Sequence, residues 1–264
     1  MSTSAIIVAH PGHELRVYHW MERQRPLYFC LTEGSGGDAQ SRMASTNLLL
    51  ESVGAIPGRL FGRYPDKHVY HLLLDGRLDV FVELAEELAD AFIAADVECV
   101  VGDAVEGFNP THDVCRFVID GAVDMAQSRT GRAIRNYDFI LDGSPGACPD
   151  AVRAEATWIR LDEAALDRKI RSALEYPELR HEVQAALERF GRSAFAVECL
   201  RPTTTHLMIE EFGRELPTYE RYGAIRVSEG RYNEIIRYRE HVLPVRTAIE
   251  GRVGYESASR RCRQ

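Results

Sequence analysis

The stretch Ala5-Ile6-Ile7-Val8-Ala9-His10-Pro11-Gly12-His13-Glu14 decides the fold. Its first five residues are apolar without alternation, so both faces of the strand they form are buried, as in a parallel sheet covered on both sides. Pro11-Gly12 then breaks the strand with a turn, and two histidines and a carboxylate follow at once. Working outward, similar apolar runs recur at Leu27 to Leu31, Cys99 to Val101, Phe139 to Leu141 and Phe195 to Cys199. Between them lie segments of helical period. The clearest has Phe81, Leu84, Ala85, Leu88 and Phe92 on one stripe, the spacing of a helix that faces a core. Strands alternating with helices predict an α/β, Rossmann-like fold with a mostly parallel sheet.

Punctuation supports this reading. A helix from about Arg42 to Val53 carries Met43 and Leu50 on one face and stops at Gly54, a residue suited to the left-handed end of a helix. Another starts at Asn109-Pro110, with Asn as N-cap and Pro in the first helical position, and continues through Val114, Phe117, Val118, Ala122 and Met125. Helices are also expected at about 162–175 and 177–190, the latter ending at Gly191. From Gly213 onward the chain is rich in Arg, Glu and Tyr with no apolar strand run. The expected layout is a domain over residues 1–212 with a helical and loop extension, 213–264, packed on it as a lid, a dimer interface or a partner-binding arm.

The 264 residues are 45% hydrophobic with a formal net charge of -8. That is enough apolar content for a sizeable core, and it leaves no global positive field to draw nucleic acid or an anionic membrane surface. No apolar run approaches the ~20 residues that span a bilayer, and no leader pattern opens the chain. The expectation is a soluble, cytoplasmic protein. Its six cysteines form no CxxC pair, and several sit in apolar runs where a thiol acts as a small hydrophobe; they are expected to be reduced and structural.

Ligands of an open parallel sheet bind beyond the carboxyl ends of its strands, and the polar clusters fall there. His10 and His13 follow the first run; Thr32-Glu33-Gly34-Ser35-Gly36-Gly37-Asp38 follows the second; Asp103, Glu106, Asn109, His112 and Asp113 follow the run ending at Val101. Two histidines three apart fit an ordinary turn as well as a metal. A third, His112, adds weight: at a helix start the local positive field keeps imidazole neutral, the form that binds metal. Three protein ligands and a water make a catalytic zinc site. The glycine-rich turn lacks the spacing of a phosphate-binding loop. His19, His68, His71, His181, His206 and His241 read as surface or packing residues.

Here the sequence resembles a family. Ala9-His10-Pro11-Gly12-His13-Glu14 is similar to the Ala-His-Pro-Asp-Asp-Glu signature of the LmbE-like, or PIG-L-like, zinc-dependent N-acetyl-sugar deacetylases. Leu31-Thr32-Glu33-Gly34-Ser35-Gly36-Gly37 resembles the family's Thr-x-Gly turn, Arg42 matches an arginine near the substrate, and Tyr64-Pro65-Asp66 resembles a later Pro-Asp turn. Asn109-Pro110-Thr111-His112 stands where the family has His-Pro-Asp-His, and weaker echoes lie at Leu166-Asp167-Arg168-Lys169-Ile170 and Ala196-Val197-Glu198-Cys199. The resemblance implies the three-layer LmbE-like fold and a Zn2+ ion, or another divalent metal, bound by His10, His13 and His112.

This sequence departs from the pattern at Gly12, where the family has its general base, and at Asn109 and Thr111, which replace a histidine and an aspartate. Glu106 is the first substitute expected for the base, because its short loop can fold toward His112, and Asp103 shares the same rim; loop solvation, a helix cap or a bond to a ligating histidine are their structural roles. Arg42, Asn109 and Phe108 are the candidate substrate contacts, with a solvated arginine, a cap and a buried turn anchor as the alternatives. The expected function is metal-dependent hydrolysis of an amide, removing acetyl from an N-acetylated amino sugar or glycoconjugate. The alternatives are a catalytically silent protein that binds a sugar or nucleotide in the same crevice and a nucleotide-sugar-binding transferase.

Overall fold

The computed structural model describes residues 3–36 and 40–261. Gly37 and Asp38 of the glycine-rich turn and Cys262 lie outside the described residues. The strands are β1 (Thr3–Val8), β2 (Leu27–Thr32), β3 (Ile56–Tyr64), β4 (Val97–Asp103), β5 (Arg135–Phe139), β6 (Thr157–Arg160) and β7 (Val197–Pro202). They form one seven-stranded sheet in the order β3-β2-β1-β4-β5-β7-β6. Neighbours from β3 to β5 pair in parallel, and β7 alone runs against both of its neighbours.

The helices are α1 (Tyr18–Gln24), α2 (Met43–Val53), α3 (Asp66–Leu74), α4 (Leu78–Ala94), α5 (Pro110–Thr130), α6 (Asp150–Arg153), α7 (Glu163–Leu174), α8 (Arg180–Phe190), α9 (Thr205–Phe212), α10 (Thr218–Ser228) and α11 (Leu243–Arg261). The expected caps are in place: the Asn109 side chain accepts from the Thr111 amide at 2.8 Å, and Gly54 ends α2 at φ 70°. Arg42 is the N-cap residue of α2 rather than part of its first turn. No helix among the described residues is long and apolar enough to cross a membrane.

Successive residues of the central strands feed two apolar layers, as the strand period of two demands. Ile7, Phe29 and Val100 point into a layer with α4 and α5, while Ile6, Val8, Tyr28 and Val101 point into the other with α1 and α2. The C-terminal segment joins the first layer, where Val245 and Ile249 of α11 are buried against α4 and α5. Burying side chains of that size contributes roughly 1.5–3 kcal/mol each, which ties the segment to the sheet.

Two strands escape the apolar-run reading, β3 and β6. Both are edge strands, β3 interrupted by Pro57, Gly58 and Gly62 with only Leu60 buried, and β6 largely exposed; an edge tolerates Pro and Gly that a central strand cannot. The run at 139–141 is also displaced, since β5 spans Arg135–Phe139 and opens on polar residues. Those residues serve the buried Arg116, which donates to the Tyr137 carbonyl at 3.0 Å and to Asn136 Oδ1 at 3.3 Å. The run at 195–199 is split between a 3-10 turn, Arg192–Ala196, and β7. The described cysteines, Cys30, Cys99, Cys115, Cys148 and Cys199, are free and buried.

Candidate metal centre

Three imidazoles meet at the carboxyl ends of β1 and β4. His10 ends the first strand run, His13 opens a 3-10 turn, His13–Val17, and His112 lies in the first turn of α5. Their ring centroids are 5.3 Å (His10 to His13), 5.0 Å (His10 to His112) and 4.6 Å (His13 to His112) apart. Chain topology makes this possible: β1 and β4 are adjacent and parallel, so the turn after one faces the helix start after the other.

A carboxylate stands behind each of the first two rings. His10 Nδ1 lies 3.1 Å from Asp66 Oδ1 and 2.7 Å from Thr32 Oγ1, and His13 Nδ1 lies 2.8 Å from Asp103 Oδ2. A carboxylate only accepts, so in both rings the proton sits on Nδ1 and the lone pair on Nε2. Burial, which outweighs the hydrogen bond His10 donates to Asp66, holds the His10 pKa below its ordinary value; burial and the neighbouring His13 and His10 hold His112 well below it. Burial pushes Asp66 up, but bonding to His10, Thr32 and the Gly36 amide prevails and keeps it far below the carboxylate range. His10 and His112 are therefore held as neutral bases, and the carboxylate behind His10 is ionised.

Asp103 is fully buried and also accepts from the Ala9 amide at 2.8 Å, which locks the turn to β4. The Glu106 carboxyl is not free. Its two oxygens accept from the amides of Leu141 at 2.9 Å and Asp142 at 3.1 Å, and burial, the largest influence, brings its pKa up to about 7. Asp113 accepts from the amides of Glu106 and Gly107 at 3.0 and 3.2 Å, fixing that loop. Phe108 is 56% exposed on the outer rim and is not a buried turn anchor. Arg42 lies beside the histidine turn: a Cβ at Gly34 would come 2.9 Å from Pro11 and 3.0 Å from the Arg42 side chain.

Three contributors escape the sequence reading. Asp66 and Thr32 hold His10, and Arg16, in the histidine turn, donates to the carbonyls of Leu141 and Gly143. For Asp66 and Thr32 the available signal is the Tyr64-Pro65-Asp66 turn and the threonine of the second turn; for Arg16 there is none. Glu14 holds the turn. Wholly buried, it accepts from the Gly12 amide at 2.8 Å, Tyr28 Oη at 3.1 Å and Thr46 Oγ1 at 3.3 Å. Three of the remaining histidines have local partners: His19 with Glu22, His68 stacked on Tyr64, and His241 accepting from the Arg237 amide.

The fold is shared with a known structure. The conserved protein TT1542 from Thermus thermophilus superposes with a TM-score of 0.51 at 18% identity, over 72% of this chain and 86% of that one. The A40926 pseudoaglycone deacetylase Dbv21 aligns more loosely, with a TM-score of 0.47 at 16% identity over 76% of this chain and 96% of that one. No protein-family model and no curated protein matches the sequence.

In chemical type, imidazole nitrogens are donors that suit a divalent ion such as zinc. His10 Nε2 and His112 Nδ1 are buried with no hydrogen-bond partner, as is Asp103 Oδ1; an unsatisfied buried polar atom is costly unless something else meets it. Carboxylates behind ligating histidines are the usual outer support of such a site. Among the described residues, however, no three His, Cys, Asp or Glu side chains present their donors as a ready coordination group. The rings meet edge to face, an arrangement aromatic pairs prefer.

Gly12 is fixed by its surroundings. Its φ is +101°, and a Cβ there would fall 2.1 Å from Leu179 Cδ1. Gly12→Asp, which installs the aspartate of the motif this turn resembles, is expected to cost ~1–3 kcal/mol from backbone strain alone. In urea denaturation the Gly12→Asp/Leu179→Ala pair should keep most of the Gly12→Asp loss relative to Leu179→Ala alone, since the tip of Leu179 can move and the backbone cannot.

Proposed function

We propose that the protein is a metal-dependent amide hydrolase that removes an acetyl group from an N-acetylated amino sugar or glycoconjugate. The observation that carries this reading is the meeting of three buried or half-buried imidazoles at the sheet's carboxyl edge, two of them backed by carboxylates. His10, His13 and His112 would hold a Zn2+ or similar ion, which when bound supplies a Lewis acid for an amide carbonyl and lowers the pKa of water.

The chain supplies the rest. Asp66 and Asp103 are positioning residues: each keeps a proton on Nδ1 of its histidine and so directs the other nitrogen's lone pair inward. Glu106 is the group we assign to proton transfer in place of the missing aspartate. Its pKa of about 7 suits a carboxyl that must both take and return a proton near neutrality, and two amide hydrogen bonds leave lone pairs free on its oxygens. We assign sugar contact to Arg42, beside Pro11, and to the exposed Phe108, while Asn109 holds the helix start that carries His112.

The test is acetate release from N-acetylated amino sugars by the zinc-loaded full chain, with chelator-treated protein as control. Glu106→Gln should lower turnover by ~10²–10⁴ while zinc content stays at the level of the parent. Zinc uptake and tight sugar binding without acetate release would instead support the silent binding protein, the reading that Gly12 favours. Failure to bind zinc would overturn both the ligand assignment and the hydrolase.

A further inference from the structure

The opposite end of the sheet carries a concave site. A cleft of about 320 Å³ opens at the amino ends of β1, β4 and β5, lined across the sheet by Ser4, Cys99, Tyr137 and Leu200. Strand register puts these on one face: Ser4 pairs with Cys99, Cys99 with Arg135, and Leu200 with Thr157. The hollow has a plain cause in the sequence, because Ser4 and Cys99 are small where Ile6 and Val101, two residues further along the same face, fill the core. Trp20 and Gln24 of α1 form one wall, and Thr157 and Ile159 of β6 the other.

Its charge is one-sided. Arg23 and Arg135 line the cleft and no carboxylate does, although the chain as a whole has a net charge of -8. Among the described residues neither guanidinium has a carboxylate partner, whereas most of the arginines elsewhere on the surface are paired. An arginine fork matches a carboxylate or phosphate, and the rings of Trp20 and Tyr137 with the aliphatic Ile159 and Leu200 offer an apolar bed. The volume lies at the small end of the range for ligand pockets.

We propose that this cleft binds a small organic anion with a compact apolar or aromatic body, its carboxylate or phosphate held between Arg23 and Arg135. The site lies at the other end of the strands from the histidines, so it stands or falls independently of the hydrolase. The test is calorimetric titration of the full chain with phenylacetate, phenyl phosphate and neutral phenylacetamide. At least one anion should bind with a Kd of ~1 mM or tighter and the amide at least about tenfold more weakly; the stronger of the two anions distinguishes a carboxylate from a phosphate ligand. Arg135→Gln should weaken binding about tenfold, Cys99→Leu should abolish it by filling the hollow, and His112→Ala should leave it unchanged. Should Cys99→Leu misfold, Thr157→Tyr on the exposed edge strand closes the same cleft from outside. Failure of both anions to bind, equal binding of the amide, or undiminished binding in a folded, filled variant would overturn the proposal.

Discussion

Replacing His112 with alanine is expected, on the ligand set proposed above, to abolish zinc uptake while leaving the fold standing. The ring makes no hydrogen bond through Nδ1, which is buried and unpartnered, so the fold loses contacts but no satisfied polar pair. The loss of stability should therefore stay within ~2 kcal/mol, well short of the larger costs that follow from orphaned charges. Metal affinity should behave differently. Losing even a residue that only supports a ligand typically costs 10–100-fold, so deleting one of three ligands should cost at least ~100-fold and turnover with it. Elemental analysis of the purified variant beside its parent, together with thermal melting, separates the two effects. Full zinc occupancy in folded His112→Ala would remove His112 from the ligand set, and a variant that fails to fold would give the ring a structural role that its contacts do not suggest.

The same residue shows how much of the molecule the sequence discloses. His10, His13 and His112 are legible because each sits where a strand run ends or a capped helix begins, and local spacing alone places those features. The central strands are legible for a related reason: burial on both faces forces an unbroken apolar run, as in Ala5 to Val8. Edge strands carry no such constraint, and β3, with Pro57 and two glycines, therefore passes for a loop. Asp66 is out of reach as a partner of His10 because their contact spans 56 positions and depends on the start of α3 coming down beside β1. Glu106 shows the opposite limit. Its loop amides are held by Asp113 at the start of α5, but its carboxyl meets amides just past β5, 35 and 36 positions on, which no spacing within the motif announces. The sequence leaves the C-terminal segment open between lid, interface and arm; Val245 and Ile249 place α11 in the apolar layer beside α4 and α5.

The two faint echoes after the third motif carry the largest stability prediction. Lys169 and Glu198 are 3% and 1% exposed and lie 2.8 Å apart. Lys169 Nζ also donates to the Arg16 carbonyl at 2.7 Å, while Glu198 accepts from the amides of His19 and Trp20 at 2.9 and 2.8 Å. The pair thus joins α7 and β7 to the start of α1, directly behind the turn that carries His13. Lys169→Met fills nearly the same space but leaves the Glu198 carboxylate buried without its cation. The positive end of α1 offsets part of that charge, yet breaking a buried pair from one side usually costs ~3–5 kcal/mol. Against a total stability of ~5–15 kcal/mol this is a large fraction, and urea denaturation should register it directly. Lys169→Met/Glu198→Gln should recover part of the loss, because neutralising the orphaned carboxyl removes the charge and keeps an acceptor for the helix amides. A loss below ~1 kcal/mol in Lys169→Met, or a double variant no better than the single, would mean that Glu198 is sustained by the helix amides alone. In either variant that folds, zinc affinity should fall with stability, since the Arg16 carbonyl held by Lys169 belongs to the same 3-10 turn as His13.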